Sequence, residues 1–421
     1  MKQAFLQSLL LLALLAPARV RAVAPSFADF DRRATAGEKL NVVFFGASLT
    51  WGANATDPNL TSYRGVIARK LEAEYPGARF HFWDAAIGGT GSQLGAFRLE
   101  RDVLRRQPDL VFLDFTANDG IGSDTPESLA SYEAIVRRVV AEAHAPVVQV
   151  IFPFMWDVQS GKLAEMKRRI AHLKIAAAYH TAAGDAVELA QRRMTEGKTT
   201  IAQLWPVDGV HPGDVGYELF ADAAWGAFQL AVKEKQVCAA PAKMLYADTY
   251  MKSARVRIST LGALPAGWAT GRPNVVAAYF DFLMSRWLDD EVIATNRRKV
   301  DGKDALQPVE PLRFRFRGSM VMFFGEGTEK SGRFRAFVDG KLVERAEPDG
   351  KPPLKEFDAA SLAKIIRGNG HFAQVIAEGL DPALEHTLVI EPVFVHDKEQ
   401  ELRLESICVA GGEAKLSKEP N

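Results

Sequence analysis

The chain has 421 residues, of which 48% are hydrophobic and 25% are charged, and its formal net charge is zero. This length accommodates about two or three domains, and the composition is that of an ordinary globular protein. The balanced charge excludes the strongly basic surface of a typical nucleic-acid binder and the charge excess of a disordered chain.

The first 22 residues have the pattern of a secretory signal peptide. Lys2 is followed by an apolar run from Ala4 to Ala16, and a small residue, Ala22, stands at the expected cleavage point. The run is too short to cross a bilayer comfortably. We therefore expect an exported protein, secreted or periplasmic, with no membrane contact after cleavage. An uncleaved membrane anchor is the alternative.

Strands alternate with helices between residues 36 and 235, which predicts a parallel sheet with helices on both faces. The apolar run Val42–Phe45 ends just before Gly46-Ala47-Ser48 and predicts a fully buried strand. Further strands are predicted at 79–86, 110–115, 147–152 and 186–189. Helices are predicted at 63–75, 94–106, 127–143, 162–183 and 215–234. In such a sheet the carboxyl ends of the strands meet at one edge, where ligands bind.

Chemically useful residues follow these strands at the shared edge: Ser48, Gly89, Asn118, and the pair Asp208 and His211. A serine hydroxyl needs an adjacent base, usually imidazole, to act as a nucleophile. An aspartate three residues before a histidine can reach its other ring nitrogen and fix its tautomer. The pattern therefore predicts acyl transfer, with Ser48 as nucleophile, His211 as base and Asp208 as the orienting carboxylate.

Acyl transfer also requires hydrogen-bond donors for the oxyanion that develops in the reaction. The candidates are the backbone N–H groups of Ser48 and Gly89 and the side-chain amide of Asn118. Glycine suits the second position because a side chain there would crowd the substrate.

The four segments that carry these residues resemble the signature blocks of the SGNH (GDSL-type) hydrolases. They read GASLTWG, AAIGGTGS, FTAND and DGVHP, in that order. The resemblance implies a flavodoxin-like three-layer α/β/α domain over residues 36–235. It also implies, for the same five residues, the catalytic and oxyanion-hole roles given above.

Two positions depart from the family pattern. Ala47 replaces the aspartate of the usual Gly-Asp-Ser, and Thr116 replaces the usual glycine two residues before Asn118. Neither position carries a catalytic group in the family, so the resemblance still implies an active serine hydrolase.

The sequence predicts no cofactor and no metal site. Gly88–Gly91 follows a strand, as in a dinucleotide-binding turn, but Leu94 occupies the place of the third glycine of G-x-G-x-x-G. No serine lies in a G-x-S-x-G motif. The remaining histidines lack metal-ligand spacing and are predicted to be surface residues or hydrogen-bonded core residues: His81, His144, His172, His180, His371, His386 and His396.

From about residue 236 the pattern changes to short alternating strands separated by turns. Strands are predicted at 312–316, 319–324, 332–339, 371–377, 386–394 and 401–409, with a hairpin turn at Asp339-Gly340. This predicts a mostly-β domain, a jelly-roll-like sandwich, over 236–412 and a frayed tail at 413–421. These segments resemble the β-sandwich modules of secreted carbohydrate-active enzymes. The segment 275–287 could be a helix or a strand.

The chain contains two cysteines, Cys238 and Cys408. In an oxidising compartment they could form a disulfide that closes a loop of roughly 170 residues around the second domain. Two separate buried thiols are the alternative, and the sequence does not choose between them.

Together these patterns predict an exported serine esterase that removes short acyl groups, in particular acetyl, from a carbohydrate. Its partner would be a small ester or an acetylated glycan rather than a nucleic acid. Two alternatives remain open: an O-acetyltransferase with the same triad, and a catalytically silent glycan-binding protein. The oligomeric state is not predicted.

Overall fold

The computed structural model describes residues 25–121, 125–159, 161–274, 287–347 and 351–419. The predicted signal peptide (1–22) lies outside these ranges, as does all but the last residue of the ambiguous segment 275–287. Within them, no helix is both long enough and apolar enough to cross a membrane.

The first domain is built on a five-stranded, fully parallel sheet. Its strands are β1 (Lys39–Gly46), β2 (Arg79–Ala86), β3 (Leu110–Leu113), β4 (Val147–Ile151) and β5 (Ala182–Asp185). They lie in the order β2-β1-β3-β4-β5. This is the flavodoxin-like order, which reverses beside β1 and places the ligand-binding crevice at the carboxyl ends there. The predicted fold class of this domain is confirmed.

Helices cover both faces of this sheet. They are α1 (Phe27–Thr35), α2 (Ser48–Trp51), α3 (Tyr63–Glu74), α4 (Ser92–Asp102), α5 (Ala130–Arg138), α6 (Met155–Gln159), α7 (Lys167–Ala178), α8 (Ala186–Thr195), α9 (Ile201–Leu204) and α10 (Asp214–Lys233). Phe44 of β1 packs against Tyr63 of α3, whereas the next residue, Phe45, lies under Arg98 of α4. Successive residues of a strand point to opposite faces, so α3 and α4 lie on opposite sides of the sheet.

The fifth strand lies immediately before the predicted segment. We predicted a strand at 186–189, but those residues begin α8, and the strand is Ala182–Asp185. The side chain of Asp185 accepts a hydrogen bond from the Glu188 N–H at 3.1 Å and caps the helix. The strand itself reads AAGD, which has little β propensity, and it is held by parallel pairing with β4.

The second domain consists mainly of two antiparallel sheets. One has the order β14-β13-β17-β11-β19, with β15 paired to β13; the other has the order β16-β12-β18-β8-β7, with β6 paired to β18. The strands are β6 (Ser253–Arg257), β7 (Trp268–Gly271), β8 (Glu291–Thr295), β9 (Arg297–Val300), β10 (Lys303–Leu306), β11 (Leu312–Arg317), β12 (Met320–Gly327), β13 (Arg333–Val338), β14 (Lys341–Leu342), β15 (Phe357–Asp358), β16 (Gly370–Ala377), β17 (His386–Val393), β18 (Glu401–Ala410) and β19 (Lys415–Lys418). A helix, α11 (Ser361–Ile366), precedes β16. The predicted sandwich-type β domain is confirmed.

One sheet of the second domain is buried on both of its faces. In β12, Val321 and Phe323 belong to the core between the two sheets. Met320, Met322 and Phe324 point the other way and belong to the same apolar cluster as the core of the first domain. The two domains therefore share a hydrophobic core, which explains why MVMFF is apolar without interruption.

The turn and the C-terminal end of the second domain test two further predictions. Asp339 and Gly340 both have positive φ and join β13 to β14, so the predicted hairpin is confirmed. The frayed tail is wrong over Lys415–Lys418, because these residues form β19 and pair with β11. The segment reads KLSK, which is too short to be recognised as a strand without its partner.

Both cysteines are free, buried thiols. Cys238 lies in the segment that joins the domains, where its N–H donates to the Pro25 carbonyl at 2.9 Å. Cys408 lies in β18, opposite Arg255 of β6. Burial raises the pKa of the Cys238 thiol to about 11 and that of Cys408 to about 12. Neither thiol therefore has the ionised form that reacts readily.

Candidate active site

Ser48 and His211 meet at the carboxyl edge of the parallel sheet. Ser48 is the first residue of α2, directly after β1, and is 6% exposed. His211 lies in the loop before α10, and its Nε2 is 3.0 Å from the Ser48 Oγ. The fold thus brings a hydroxyl and an imidazole into hydrogen-bonding contact, the geometry required for a base to activate a serine.

Asp208 lies behind His211 and holds the loop in place. Its Oδ2 is 3.4 Å from the His211 Nδ1. Its Oδ1 accepts hydrogen bonds of 2.7 Å from the backbone N–H groups of Val210 and His211. The carboxylate therefore both faces the imidazole and fixes the turn that carries it. The three residues predicted as a triad lie together, and their catalytic roles stay predictions.

Asn54 is a neighbour of this group that the sequence did not reveal. Its side-chain amide donates to the Asp208 Oδ2 at 2.8 Å and to the His211 carbonyl at 3.4 Å. Its backbone has a φ of 69°, a left-handed conformation that asparagine tolerates. No catalytic motif or spacing marks this residue, because its contact is with a loop more than 150 positions away in the sequence.

The electrostatics of the loop favour a neutral imidazole beside an ionised carboxylate. Burial lowers the pKa of His211, and the nearby Asp208 only partly offsets this effect. Burial opposes ionisation of Asp208, but hydrogen bonds from the His211 backbone and from Asn54 outweigh it and lower the pKa of this carboxyl. At neutral pH His211 is therefore available to accept a proton from Ser48.

Gly89 and Asn118 line a single cavity of about 420 Å³. Gly89 has a φ of 70°, which favours glycine at this position. Asn118 sits in a tight turn, in which its N–H and that of Asp119 both donate to the Phe115 carbonyl at 2.9 Å. The structure places two of the three predicted donors, Gly89 and Asn118, on one cavity, whose lining does not include Ser48 or His211. Their role as an oxyanion hole stays a prediction.

The second domain forms the opposite wall of this cavity. Its lining residues there are Met322 of β12 and His371, Ala373, Gln374 and Val375 of β16. No sequence motif of the second domain pointed to this role. The volume falls within the range of roughly 300–1,000 Å³ that is typical of small-molecule sites.

The prediction of surface or hydrogen-bonded histidines is wrong for His371 and holds for only one ring nitrogen of His172, whose Nδ1 lies 2.7 Å from the Arg168 carbonyl oxygen. Nε2 of His172 and Nδ1 of His371 are buried and have no hydrogen-bond partner within the described ranges. Burial, with a further effect from Arg98, lowers the pKa of His371 to about 4. A neutral imidazole therefore lines the cavity across from Gly89 and Asn118. In the described part of the chain no cluster of acidic, histidine or cysteine side chains is arranged to hold a metal ion.

The two departures from the family pattern are both buried away from the cavity. Ala47 is 0% exposed and belongs to the core. Thr116 is also fully buried, and its hydroxyl donates to the Val150 carbonyl at 3.4 Å. Neither residue lines the cavity.

Replacing Asn118 by alanine is expected to lower kcat by roughly 10² to 10³, with a smaller effect on KM, because it removes one donor to the oxyanion. The measurement is steady-state hydrolysis of p-nitrophenyl acetate, with the exposed Asn59→Ala as the matched control. An unchanged kcat in Asn118→Ala would remove Asn118 from the oxyanion hole.

A parallel α/β sheet with a serine and a histidine in contact at its carboxyl edge is the arrangement of a hydrolase. Residues 44–219 match the GDSL-like lipase/acylhydrolase family, to which the first domain of the chain belongs. The chain is accordingly a carboxylic ester hydrolase. The comparison with curated proteins finds no match.

Solved structures share the fold beyond this domain. A two-domain esterase active on acetylated mannans is 22% identical, with a TM-score of 0.65 over 92% of this chain and 95% of that one. The same esterase co-crystallised with mannopentaose is 21% identical, with a TM-score of 0.64 over the same shares. An acetylxylan esterase from Geobacillus stearothermophilus is 21% identical and covers 45% of this chain and 94% of its own, with a TM-score of 0.37. At this identity the first two establish a common two-domain fold.

Proposed function

We propose that the chain is an exported serine esterase that removes acetyl groups from a polysaccharide through an acyl-enzyme. The observation that carries the proposal is the 3.0 Å contact between the Ser48 Oγ and the His211 Nε2, at the edge where Gly89 and Asn118 line a cavity. The signal-like pattern of residues 1–22 supports export.

The mechanism begins when the Ser48 Oγ attacks the carbonyl carbon of the acetyl ester and His211 Nε2 takes the hydroxyl proton. The resulting oxyanion would receive hydrogen bonds from the N–H groups of Ser48 and Gly89 and from the Asn118 amide. Asp208 stabilises the imidazolium. The carbon–oxygen bond to the sugar then breaks, and the sugar oxygen takes the proton from His211. This leaves acetyl-Ser48.

In the second half of the reaction His211 takes a proton from water, and the resulting hydroxide attacks the acetyl-Ser48 carbonyl. The bond to the Ser48 Oγ breaks, the proton returns to that oxygen, and acetic acid leaves. The atoms balance: one ester and one water give one free sugar hydroxyl and one acetic acid.

A carbohydrate substrate is supported by the construction of the cavity from both domains. The wall from β12 and β16 offers apolar side chains beside one polar side chain, that of His371. A sugar ring presents the same mixture of apolar and hydrogen-bonding surface. The two-domain esterase with the same overall fold acts on acetylated mannans, so acetylated mannan is the substrate to offer first.

We expect His371→Leu to separate a glycan substrate from a simple ester. Loss of a hydrogen bond between the His371 Nε2 and a sugar hydroxyl should lower kcat/KM for acetylated manno-oligosaccharides about 3- to 10-fold. Hydrolysis of p-nitrophenyl acetate, which has no sugar, should stay within about 2-fold of wild type. Acetate release and p-nitrophenol release are measured side by side.

The control for this experiment is His396→Leu, at an exposed histidine of the same domain. His371→Leu should fold normally, because it removes a buried ring nitrogen without a partner in the described part of the chain. An equal loss on both substrates would contradict recognition of the sugar by His371. An absence of Ser48-dependent acetate release from every acetylated glycan would contradict the proposed substrate class.

A further inference from the structure

A buried carboxylate connects the two loops that carry Gly89 and Asn118. Asp119 directly follows Asn118, and its Oδ1 accepts a hydrogen bond from the Ser92 N–H at 2.8 Å. Ser92 begins α4, three residues after Gly89. A Cβ atom on Gly91 would lie only 2.8 Å from the same oxygen, so any side chain at this position would displace the carboxylate. Asp119 thus sets the separation of the two loops.

His172 lies next to the Asp119 carboxylate. Its Nε2 lies 3.7 Å from the Asp119 Oδ2, and the two side chains are 0% and 8% exposed. His172 belongs to α7, which contributes none of the residues predicted to catalyse the reaction. Within the described ranges, neither the Nε2 nor the Oδ2 has a hydrogen-bond partner.

The hydrogen on the other ring nitrogen of His172 can be placed from its partner. Nδ1 is 2.7 Å from the carbonyl oxygen of Arg168. A carbonyl oxygen only accepts, so Nδ1 carries a hydrogen and donates it. A neutral ring would then turn the lone pair of Nε2 toward the Asp119 carboxylate. Two acceptors facing each other in a buried site are unfavourable.

We propose that His172 is a positioning residue of the hydrolytic site, held as an imidazolium whose Nε2–H faces the Asp119 carboxylate. The ion pair fixes Asp119 and, through it, the relative positions of Gly89 and Asn118. This proposal rests on the proposed function for its catalytic consequence. The protonation of the pair stands independently of it.

The surroundings of the pair agree with one charged carboxylate. The ring of Tyr132 packs edge-on against the His172 ring, with centroids 4.3 Å apart. Asp114 is the other acid nearby, and burial, followed by the charge of Asp119, holds its pKa well above its usual range. Arg168, one helical turn before His172, is a nearby cation, and its guanidinium pairs with Asp157.

The first measurement is the ¹⁵N NMR of histidine-labelled wild-type protein at pH 7. An imidazolium has hydrogen on both ring nitrogens, so both nitrogens of His172 should show the shifts of protonated nitrogen. His172→Gln identifies the resonances by their disappearance. A bare Nε2 at pH 7 would overturn the proposal, whatever reaction the protein catalyses.

The second measurement compares kcat and KM for p-nitrophenyl acetate in His172→Phe and His172→Gln. Displacement of an oxyanion donor by about 1 Å can cost roughly 10²-fold. We therefore expect His172→Phe to lower kcat about 10- to 100-fold, with KM within about 2-fold. His172→Gln can still donate an N–H toward Asp119 and should recover part of that loss. Lys174→Gln, on the exposed side of the same helix, is the control.

The outcomes distinguish positioning from mere packing and from failure of the proposed function. A purely structural role would lower thermal stability in both variants without rescue of kcat by glutamine, and this result would overturn the proposal. If His172→Phe does not fold, the kcat of His172→Gln and the NMR shifts decide. If wild type shows no Ser48-dependent hydrolysis, the proposed function fails, while the NMR shifts still test the ion pair.

Discussion

Ser48→Ala is expected to abolish ester hydrolysis, with a loss in kcat of roughly 10⁶-fold, as for removal of the nucleophile of other serine hydrolases. The physical reason is that the hydroxyl 3.0 Å from the His211 Nε2 is the atom that would bond to the acyl carbon. The measurement is release of p-nitrophenol and of acetate by the purified chain beside the variant.

The matched control is Ser361→Ala, which changes an exposed serine of the second domain. Ser48→Ala should keep the melting temperature of wild type within a few degrees, because its hydroxyl is removed without a change in packing. Substantial activity in folded Ser48→Ala would remove Ser48 as the nucleophile and, with it, the assignment of His211 as its base.

Arg98→Met is expected to lower the free energy of unfolding by about 3–5 kcal/mol, the usual effect of removing one partner from a buried ion pair. The Arg98 side chain is 0% exposed and lies 3.1 Å from Asp102. Its guanidinium also donates to the carbonyls of Ala85 at 2.6 Å and Gly46 at 2.8 Å. The substitution removes a hydrogen-bond donor from each carbonyl near the ends of β2 and β1, although the Gly46 carbonyl keeps the Ile87 N–H at 3.2 Å.

Denaturant unfolding measures this effect, with Arg105→Met as the control because that side chain is 71% exposed. A surface ion pair of this kind contributes about 0–1 kcal/mol. Since Gly46 is two residues before Ser48, Arg98→Met should also lower kcat. A change in unfolding free energy below about 1 kcal/mol would show that the buried pair is not stabilising.

The parts of the fold that were predictable are those in which local sequence and tertiary structure favour the same element. Val42–Phe45 is apolar and β-forming and lies in a strand covered on both faces, so local propensity and burial agree. Ala182–Asp185 has neither property, and only its neighbour β4 makes it a strand. The cap at Asp185 was the available signal, since a capping aspartate predicts that a helix begins there.

The residues of the candidate site likewise divide into those that the sequence predicts and those that it does not. Serine, histidine and aspartate carry distinctive reactive groups. Their placement after predicted strands was therefore enough to assign them to one site. The wall formed by His371 and Gln374 has no such signature. It arises because β16 alternates between two covered faces, and a sequence does not show which covered face borders a cavity. The His172–Asp119 contact likewise depends on how α7 packs.

The core shared by the two domains has a consequence for how this architecture can change. Met320, Met322 and Phe324 pack with residues of the α/β sheet, so cutting the chain near residue 240 would expose apolar surface on both pieces. Recombination could therefore not replace the β domain by another module without exposing this shared core. Instead, residues of its cavity-lining strand can be substituted one at a time without any change to the hydrolytic groups. Such substitutions would allow the enzyme to acquire new ester substrates.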